Sequence, residues 1–298
     1  MYYLNLNLFI DLKKRENSIK SIHTAIIIEA VKKLCMEANY VLPPDIYTAI
    51  KDSEQKEESS LGKAILKDMC DNADIARKEQ MPICQDTGSA VVFVKLGQEV
   101  HIGGGLLSEA IHEGVRQGYQ EGYLRKSIVE NPLYRNNTKD NTPAIIHYEI
   151  VAGNALEIMV CPKGGGSENM SRVYMLKPSE GIEGVKAAVM ETVALAGPNA
   201  CLPMVVGIGI GGNFEYATYL AKKALTREVG NQNKDERMAN LERELLELVN
   251  KTGIGPQGLG GRVTALAVHI EEYPCHIASL PIAINIGCHV NRHKSICL

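Results

Sequence analysis

A mixed α/β (α+β) fold is what this sequence predicts: a mainly helical region over 18–80, then a mixed-sheet region over 81–298 that carries the chemistry. Three observations predict it. Up to residue 80, apolar side chains recur at helical spacing. Beyond it, short apolar runs such as Met204-Val205-Val206-Gly207-Ile208 are bounded by Gly, Pro and Asn, as buried strands are. Helical stretches separate those runs without the strict alternation of a parallel α/β protein. With 298 residues the chain is long enough for one large buried core or two smaller ones.

Residues 1–17 match no regular pattern and read as a leader outside the main domain, 18–298. Ile19, Ile22, Ala25, Ile26, Ala30, Val31 and Leu34 predict a helix over 18–42, interrupted by Pro43-Pro44. A second helix is expected over 44–53, then a polar Glu- and Ser-rich linker over 53–60. A third, over 61–80, puts Ala64, Ile65, Met69, Ala73 and Ile75 on its inner face. This helical third is expected to act as a cover or an oligomer contact. A strand over 90–96, a helix over 106–124 and a polar loop over 131–142 follow. Strands over 144–151 and 155–160, joined by Ala152-Gly153-Asn154, carry the signal of a hairpin. Then come a helix over 181–196, a strand–turn–helix unit (204–208, the glycines of 207–212, 214–225) and a charged helix over 235–251. A glycine-rich loop over 253–261 and strands over 263–270 and 280–286 complete the series.

Composition excludes several classes. A net charge of −3 leaves no electrostatic footprint for nucleic acid, and three Phe, twelve Tyr and no Trp give little base-stacking surface. No window is apolar over the roughly 18 residues that a membrane span needs. The first twelve residues are broken by Asn5, Asn7 and Asp11, unlike a secretory signal. Eight widely dispersed cysteines in so long a chain are expected to be thiols or metal ligands in a reducing cytoplasm.

The chemistry-bearing residues cluster in a few places. Cys84-Gln85-Asp86-Thr87-Gly88 sets a thiol, an amide, a carboxylate and a hydroxyl side by side before a strand. Cys201 precedes the 204–208 strand and Cys288 follows the 280–286 strand. No Cys-x-x-Cys pair or ferredoxin spacing is present. Two readings stand: all eight are buried or surface free thiols, or Cys84, Cys201 and Cys288 meet and hold an iron–sulfur cluster. Three ligands would leave one iron open to act as a Lewis acid. Cys35, Cys70 and Cys161 are expected to be buried thiols and Cys297 a surface one. Asp86 suits proton transfer, or only a turn. Lys163-Gly164-Gly165-Gly166-Ser167 can wrap an anion, or be a flexible loop. Gly207-Ile208-Gly209-Ile210-Gly211-Gly212 matches a dinucleotide fingerprint formally, but no second strand closes the unit; an anion site or a close backbone approach is the milder reading. His276, His289, Arg292 and His293 add positive or titratable groups near the end, which suits an anionic substrate.

Five motifs in order, at Cys84–Gly88, Lys163–Ser167, Asn199-Ala200-Cys201-Leu202-Pro203, the 253–261 loop and Cys288-His289-Val290-Asn291-Arg292-His293, resemble the α subunit of the class I, iron–sulfur fumarate hydratases, a family that includes tartrate dehydratases. The resemblance runs from about residue 18 to the end. It implies a 4Fe–4S cluster on Cys84, Cys201 and Cys288 and reversible hydration of fumarate to L-malate. It implies substrate contacts from Gln85, Asp86, Arg125 and Gly165, and catalytic roles for Asp86 and for His276, which matches the histidine that the family brings from the neighbouring protomer. It also implies a β subunit as partner, a homodimer of α or an α2β2 assembly, and a small dicarboxylate substrate. Leu202 departs from the family's usual proline, for which only a local packing change is expected. L-tartrate dehydratase and a non-enzymatic iron–sulfur sensor subunit are the alternatives.

Overall fold

The structure is a computed structural model and describes residues 19–298; the expected leader over 1–17 lies outside the described residues. Helices and mixed sheets make up the fold, as expected, and the described residues group into two compact units. Among them, no helix is long and apolar enough to cross a membrane.

The first unit takes residues 19–38, 87–162 and 293–298. It opens with a strand, β1 (Lys20–His23), where a helical turn was expected. β1 pairs in parallel with β3 (Val100–Gly103), about eighty residues away, a contact that local periodicity cannot register. Helix α1 (Thr24–Tyr40) follows, with Ile27, Val31 and Cys35 fully buried. It lies against α4 (Leu107–Glu121) at two glycines one turn apart. A Cβ on Gly114 would fall 2.6 Å from Val31 Cβ, and one on Gly118 would fall 2.8 Å from Cys35 Cβ, so only glycine permits this approach. The unit's four-stranded sheet has the order β10 (Lys294–Cys297), β5 (Leu156–Lys163), β2 (Ser89–Gly97), β4 (Ile145–Val151). The expected β4–β5 hairpin is therefore corrected: β2 lies between the two strands. The turn joining them wraps the end of β2, where Gly97 N–H donates to Ala155 O (2.9 Å) and a Cβ on Gly97 would fall 2.4 Å from Gly153 O.

The second unit takes residues 39–86 and 163–292. It contains the helical pair α2 (Pro44–Lys56) and α3 (Ser60–Glu79), the single turn α5 (Gly165–Glu168), and helices α6 (Gly181–Ala196), α7 (Phe214–Ala224) and α8 (Glu236–Lys251). Its sheet has the order β6 (Arg172–Leu176), β9 (Leu280–Gly287), β7 (Met204–Gly212), β8 (Ala265–Cys275), with β7 parallel to β8 and antiparallel to β9. Alternation along β7 divides its surroundings. Met204, Val206 and Ile208 join the core built with Val189 and Val193 of α6 and Leu245 and Val249 of α8. On the opposite face, Val205 joins the core of α2 and α3, and Gly207 and Gly209 receive the backbone of α7. A Cβ there would fall 2.3 Å from Ala221 O or 2.1 Å from Ala217 O. The glycine run expected as a turn is thus the outer half of a strand, made of glycine so that a helix can lie directly on it.

The polar linker over 53–60 is also corrected. Helix α2 continues to Lys56, and Glu57 is buried, at 1% exposure. Its carboxylate accepts the N–H groups of Glu58 (2.8 Å), Ser59 (3.0 Å), Arg262 (2.8 and 2.9 Å) and Val263 (2.9 Å). A charge reads as solvent-facing in sequence; here it is an acceptor that closes the α2–α3 corner onto the start of β8.

Candidate metal centre

Each cysteine of interest is placed by its own local device, all within the second unit. Helix α3 ends at Gln80 in left-handed backbone (φ 52°), and Met81 N–H returns to Ala76 O. Ile83 is then pinned twice, its N–H to Asn39 O and its carbonyl to Asn72 Nδ2, both at 2.9 Å. Cys84 follows, and its sulfur accepts the Asp86 N–H at 3.4 Å.

Cys201 leaves the one-turn helix Gly197–Ala200 in left-handed backbone (φ 54°, ψ 68°). For a non-glycine residue this costs roughly 1–3 kcal/mol and tends to mark functional positions. The neighbours hold it there. Leu202 is fully buried in the core, and its carbonyl accepts Gln257 N–H (3.2 Å) and Nε2 (3.0 Å). Gly258 lies so close to Pro198 that a Cβ would fall 2.3 Å from the proline Cβ.

Cys288 follows β9 directly. The next residue, His289, binds the Cys201 carbonyl twice, through its N–H (3.2 Å) and its Nδ1 (2.9 Å). Burial, with the Arg292 charge adding to it, lowers the His289 pKa against the opposing pull of that bond. The ring is therefore neutral at pH 7, and a carbonyl partner requires the proton on Nδ1. Burial raises the Cys201 pKa, and the charges of Cys288, Cys84 and Asp86 raise it further. The three thiols and the Asp86 carboxylate thus share one electrostatic neighbourhood. The other cysteines differ: Cys35, Cys70 and Cys161 are buried and Cys297 is exposed, as expected, and burial pushes Cys35 up to about 12.

Asp86 ties the site to the glycine loop. Its Oδ2 accepts Gly165 N–H at 2.8 Å, and a Cβ on Gly164 would fall 3.0 Å from the same oxygen. Lys163 turns back onto Ser167 Oγ (2.7 Å) and Glu168 (3.2 Å). The anion held by this loop's backbone is thus the protein's own Asp86. Glu168, which sequence reasoning missed, pairs with Lys163 and Lys222 and accepts from Asn285 (2.8 Å). Burial would raise its pKa, but the two ammonium groups and the hydrogen bonds from Asn285 and Lys222 hold it at about 2. Arg292 is 5% exposed and donates to the Asp86 carbonyl at 2.6 Å. Its Nε is buried with no hydrogen-bond partner, and no carboxylate forms an ion pair with it among the described residues.

The remaining candidates are three: Gln85, His276 and Arg125. Gln85 is exposed beside Cys84. His276 caps the β8–β9 turn, its Nδ1 accepting Ala278 N–H at 3.1 Å. It stands at the opposite end of β9 from Cys288, with the eight residues of that strand, about 25 Å when extended, between them. It therefore cannot serve this chain's own cysteines. Arg125 belongs to the first unit, where it is exposed and its carbonyl accepts Thr87 Oγ1 at 3.0 Å.

Among the described residues, no three His, Cys, Asp or Glu side chains converge closely enough to hold one metal ion. A cubane cluster makes a different demand. Each thiolate bonds its own iron, so the ligands surround a volume rather than a point. Three thiols in one neighbourhood, on loops that His289 and Arg292 tie together, fit such a net anionic group.

Comparison with known proteins defines the class as hydro-lyase. The profile of the fumarate hydratase (Fumerase) family matches residues 28–297. A Methanocaldococcus jannaschii protein named "Putative L(+)-tartrate dehydratase subunit alpha" is 46% identical over 272 residues, covering 89% of this chain and 95% of the relative. The L(+)-tartrate dehydratase subunit alpha of Escherichia coli K12, and that of Shigella sonnei, are 34% identical over 278 residues, covering 90% of this chain and 91% of each relative. This chain belongs to the fumarate hydratase family of hydro-lyases.

Proposed function

We propose that this chain is the α subunit of a two-subunit hydro-lyase that interconverts fumarate and L-malate, with a 4Fe–4S cluster on Cys84, Cys201 and Cys288. The observation that carries the reading is the joining of the three cysteine loops. His289 bridges the Cys201 and Cys288 loops, Arg292 reaches the loop of Cys84, and the Cys201 thiol feels both other thiols. When bound, the cluster supplies an open iron as a Lewis acid for the substrate's hydroxyl and carboxylate.

The chain's own residues do the rest. Asp86, held at Oδ2 by the Gly165 N–H, keeps its carboxylate in a fixed orientation and handles the proton of the departing or arriving hydroxyl at a carboxylate oxygen. Gln85 offers an exposed amide to a substrate carboxylate, and Gly165 adds backbone. The role of Arg125 as a substrate contact rests on the motif resemblance. The distance of His276 from this chain's cysteines favours its service to a neighbouring copy, in an α dimer or α2β2 assembly with a β subunit. Eight cysteines dispersed along the chain suit a reducing cytoplasm.

A second reading, dehydration of L-(+)-tartrate, is favoured by the names of the relatives. Tartrate differs from malate by one hydroxyl at C3. Comparing kcat/KM for L-malate and L-(+)-tartrate with the complete two-subunit enzyme decides between them. A higher value for malate supports the first reading, and a higher value for tartrate replaces it. Turnover of neither overturns both.

A further inference from the structure

Arg292 is the least explained group near the three cysteines. Burying a guanidinium costs several kcal/mol unless an anion and hydrogen bonds compensate it. This one is 5% exposed, has a single hydrogen bond, to the Asp86 carbonyl, and keeps a buried Nε with no partner. Several other buried or half-buried cations of this unit face carboxylates. Lys163 and Lys222 face Glu168, and Arg227 faces Glu242 and Glu271. The charge of Arg292 reaches His289, whose N–H and ring bind Cys201 and whose chain neighbour is Cys288. Its one hydrogen bond ends on the backbone two residues after Cys84.

We infer that Arg292 is a positioning and charge-compensating residue for the three-cysteine centre, its missing counter-anion being the cluster-bearing set of thiolates. The inference rests on the reading of Cys84, Cys201 and Cys288 as cluster ligands. It assigns Arg292 two tasks. The guanidinium holds the Asp86 carbonyl, and with it the Cys84 loop, toward the segment that carries Cys288. Its charge offsets the net negative charge of three thiolates with their cluster and so favours retention of the loaded form. The empty protein then carries an uncompensated buried cation, and the loaded protein does not.

The test compares the full-length chain with Arg292→Met and Arg292→Lys, each purified anaerobically, emptied, and reconstituted with ferrous iron and sulfide. Two readouts are taken: the melting temperature of the empty protein, and the rate of iron release from the loaded protein to an excess of chelator. A brace with no charge role would lower stability in both forms together. The inference predicts opposite behaviour. Empty Arg292→Met melts at or above the wild-type temperature, while the loaded variant releases iron about tenfold faster or more. Its cluster midpoint potential also moves to a more negative value, because a nearby positive charge has gone. Arg292→Lys restores part of the retention. Parallel loss of stability in both forms, or wild-type iron release from Arg292→Met, overturns the inference and leaves the cluster reading standing. A wild-type chain that takes up no cluster overturns the reading itself, and the inference with it.

Discussion

Replacing Glu57 by Gln tests how the scaffold behind the cysteines is held. The carboxylate accepts from four backbone N–H groups, with Arg262 and Val263 on Oε2 and Glu58, Ser59 and Arg262 on Oε1. An amide keeps one acceptor oxygen and puts an NH2 donor where the second stood. Val263 N–H then faces a donor inside a buried corner, and the other bonds lose their charge assistance. Room for relief is small, because a Cβ on Gly261 would already fall 2.8 Å from Oε1. One stranded buried donor plus weakened charged bonds costs roughly 2–4 kcal/mol. For a protein of this size the melting temperature at pH 7 should fall on the order of 5–15 °C. The pH dependence gives a second check. Burial opposes ionisation of Glu57, but the backbone donors outweigh it and lower the pKa from 4.5. A lowered carboxylate pKa contributes stability above the unfolded value, and that contribution is lost as pH falls through the folded value. The gap between wild type and Glu57→Gln should therefore narrow as pH drops below 4.5. A variant that melts within about 1 °C of wild type at pH 7 would refute the four-donor account.

Other expectations follow from the same geometry. Gly209→Ala drives a methyl against Ala217 O and Ala221 N of the helix above, so it should destabilise by roughly 1–3 kcal/mol or more in urea unfolding; an unchanged midpoint would show that the helix can lift without cost. Burial and the charge of Arg227 hold His269 at about 4, so the unfolded chain takes up its proton first as pH falls below 6.5. Stability should decline by about 3 kcal/mol between those two values, and His269→Gln should flatten that slope; an unaltered slope would contradict the assignment. Asp86→Asn keeps an oxygen for Gly165 N–H and should retain iron while losing turnover by about a hundredfold or more; near-normal kcat would remove Asp86 from the proton path.

Much of this was readable from the chain where the signal is local. The helix over Gly181–Ala196 ends where its apolar period and its flanking glycine say it should. The Cys84, Cys201 and Cys288 motifs could be singled out because each abuts a strand. Long-range pairing was not readable. Ile19 and Ile22 continue a helical period into α1, yet Lys20–His23 pairs with a distant strand. β2 enters between two strands that the sequence joins by a turn. One signal was present and missed: Gly207, Gly209 and Gly211 alternate with Ile208 and Ile210, the period of a strand with one bare face. The roles of Glu57, Glu168 and Arg292 were not legible, because a charged residue in sequence carries no mark of burial until its partners are known.

The central claim is a cluster on three specific thiols, and it is tested most directly by anaerobic iron analysis with absorption and EPR spectra of the reconstituted full-length chain, with and without L-malate. The account predicts about four irons per chain, an added-malate shift of the spectrum, and loss of the signal in each of Cys84→Ser, Cys201→Ser and Cys288→Ser but not in Cys35→Ser. Iron that survives the loss of any one of the three thiols, or a wild-type chain that takes up none, would contradict it.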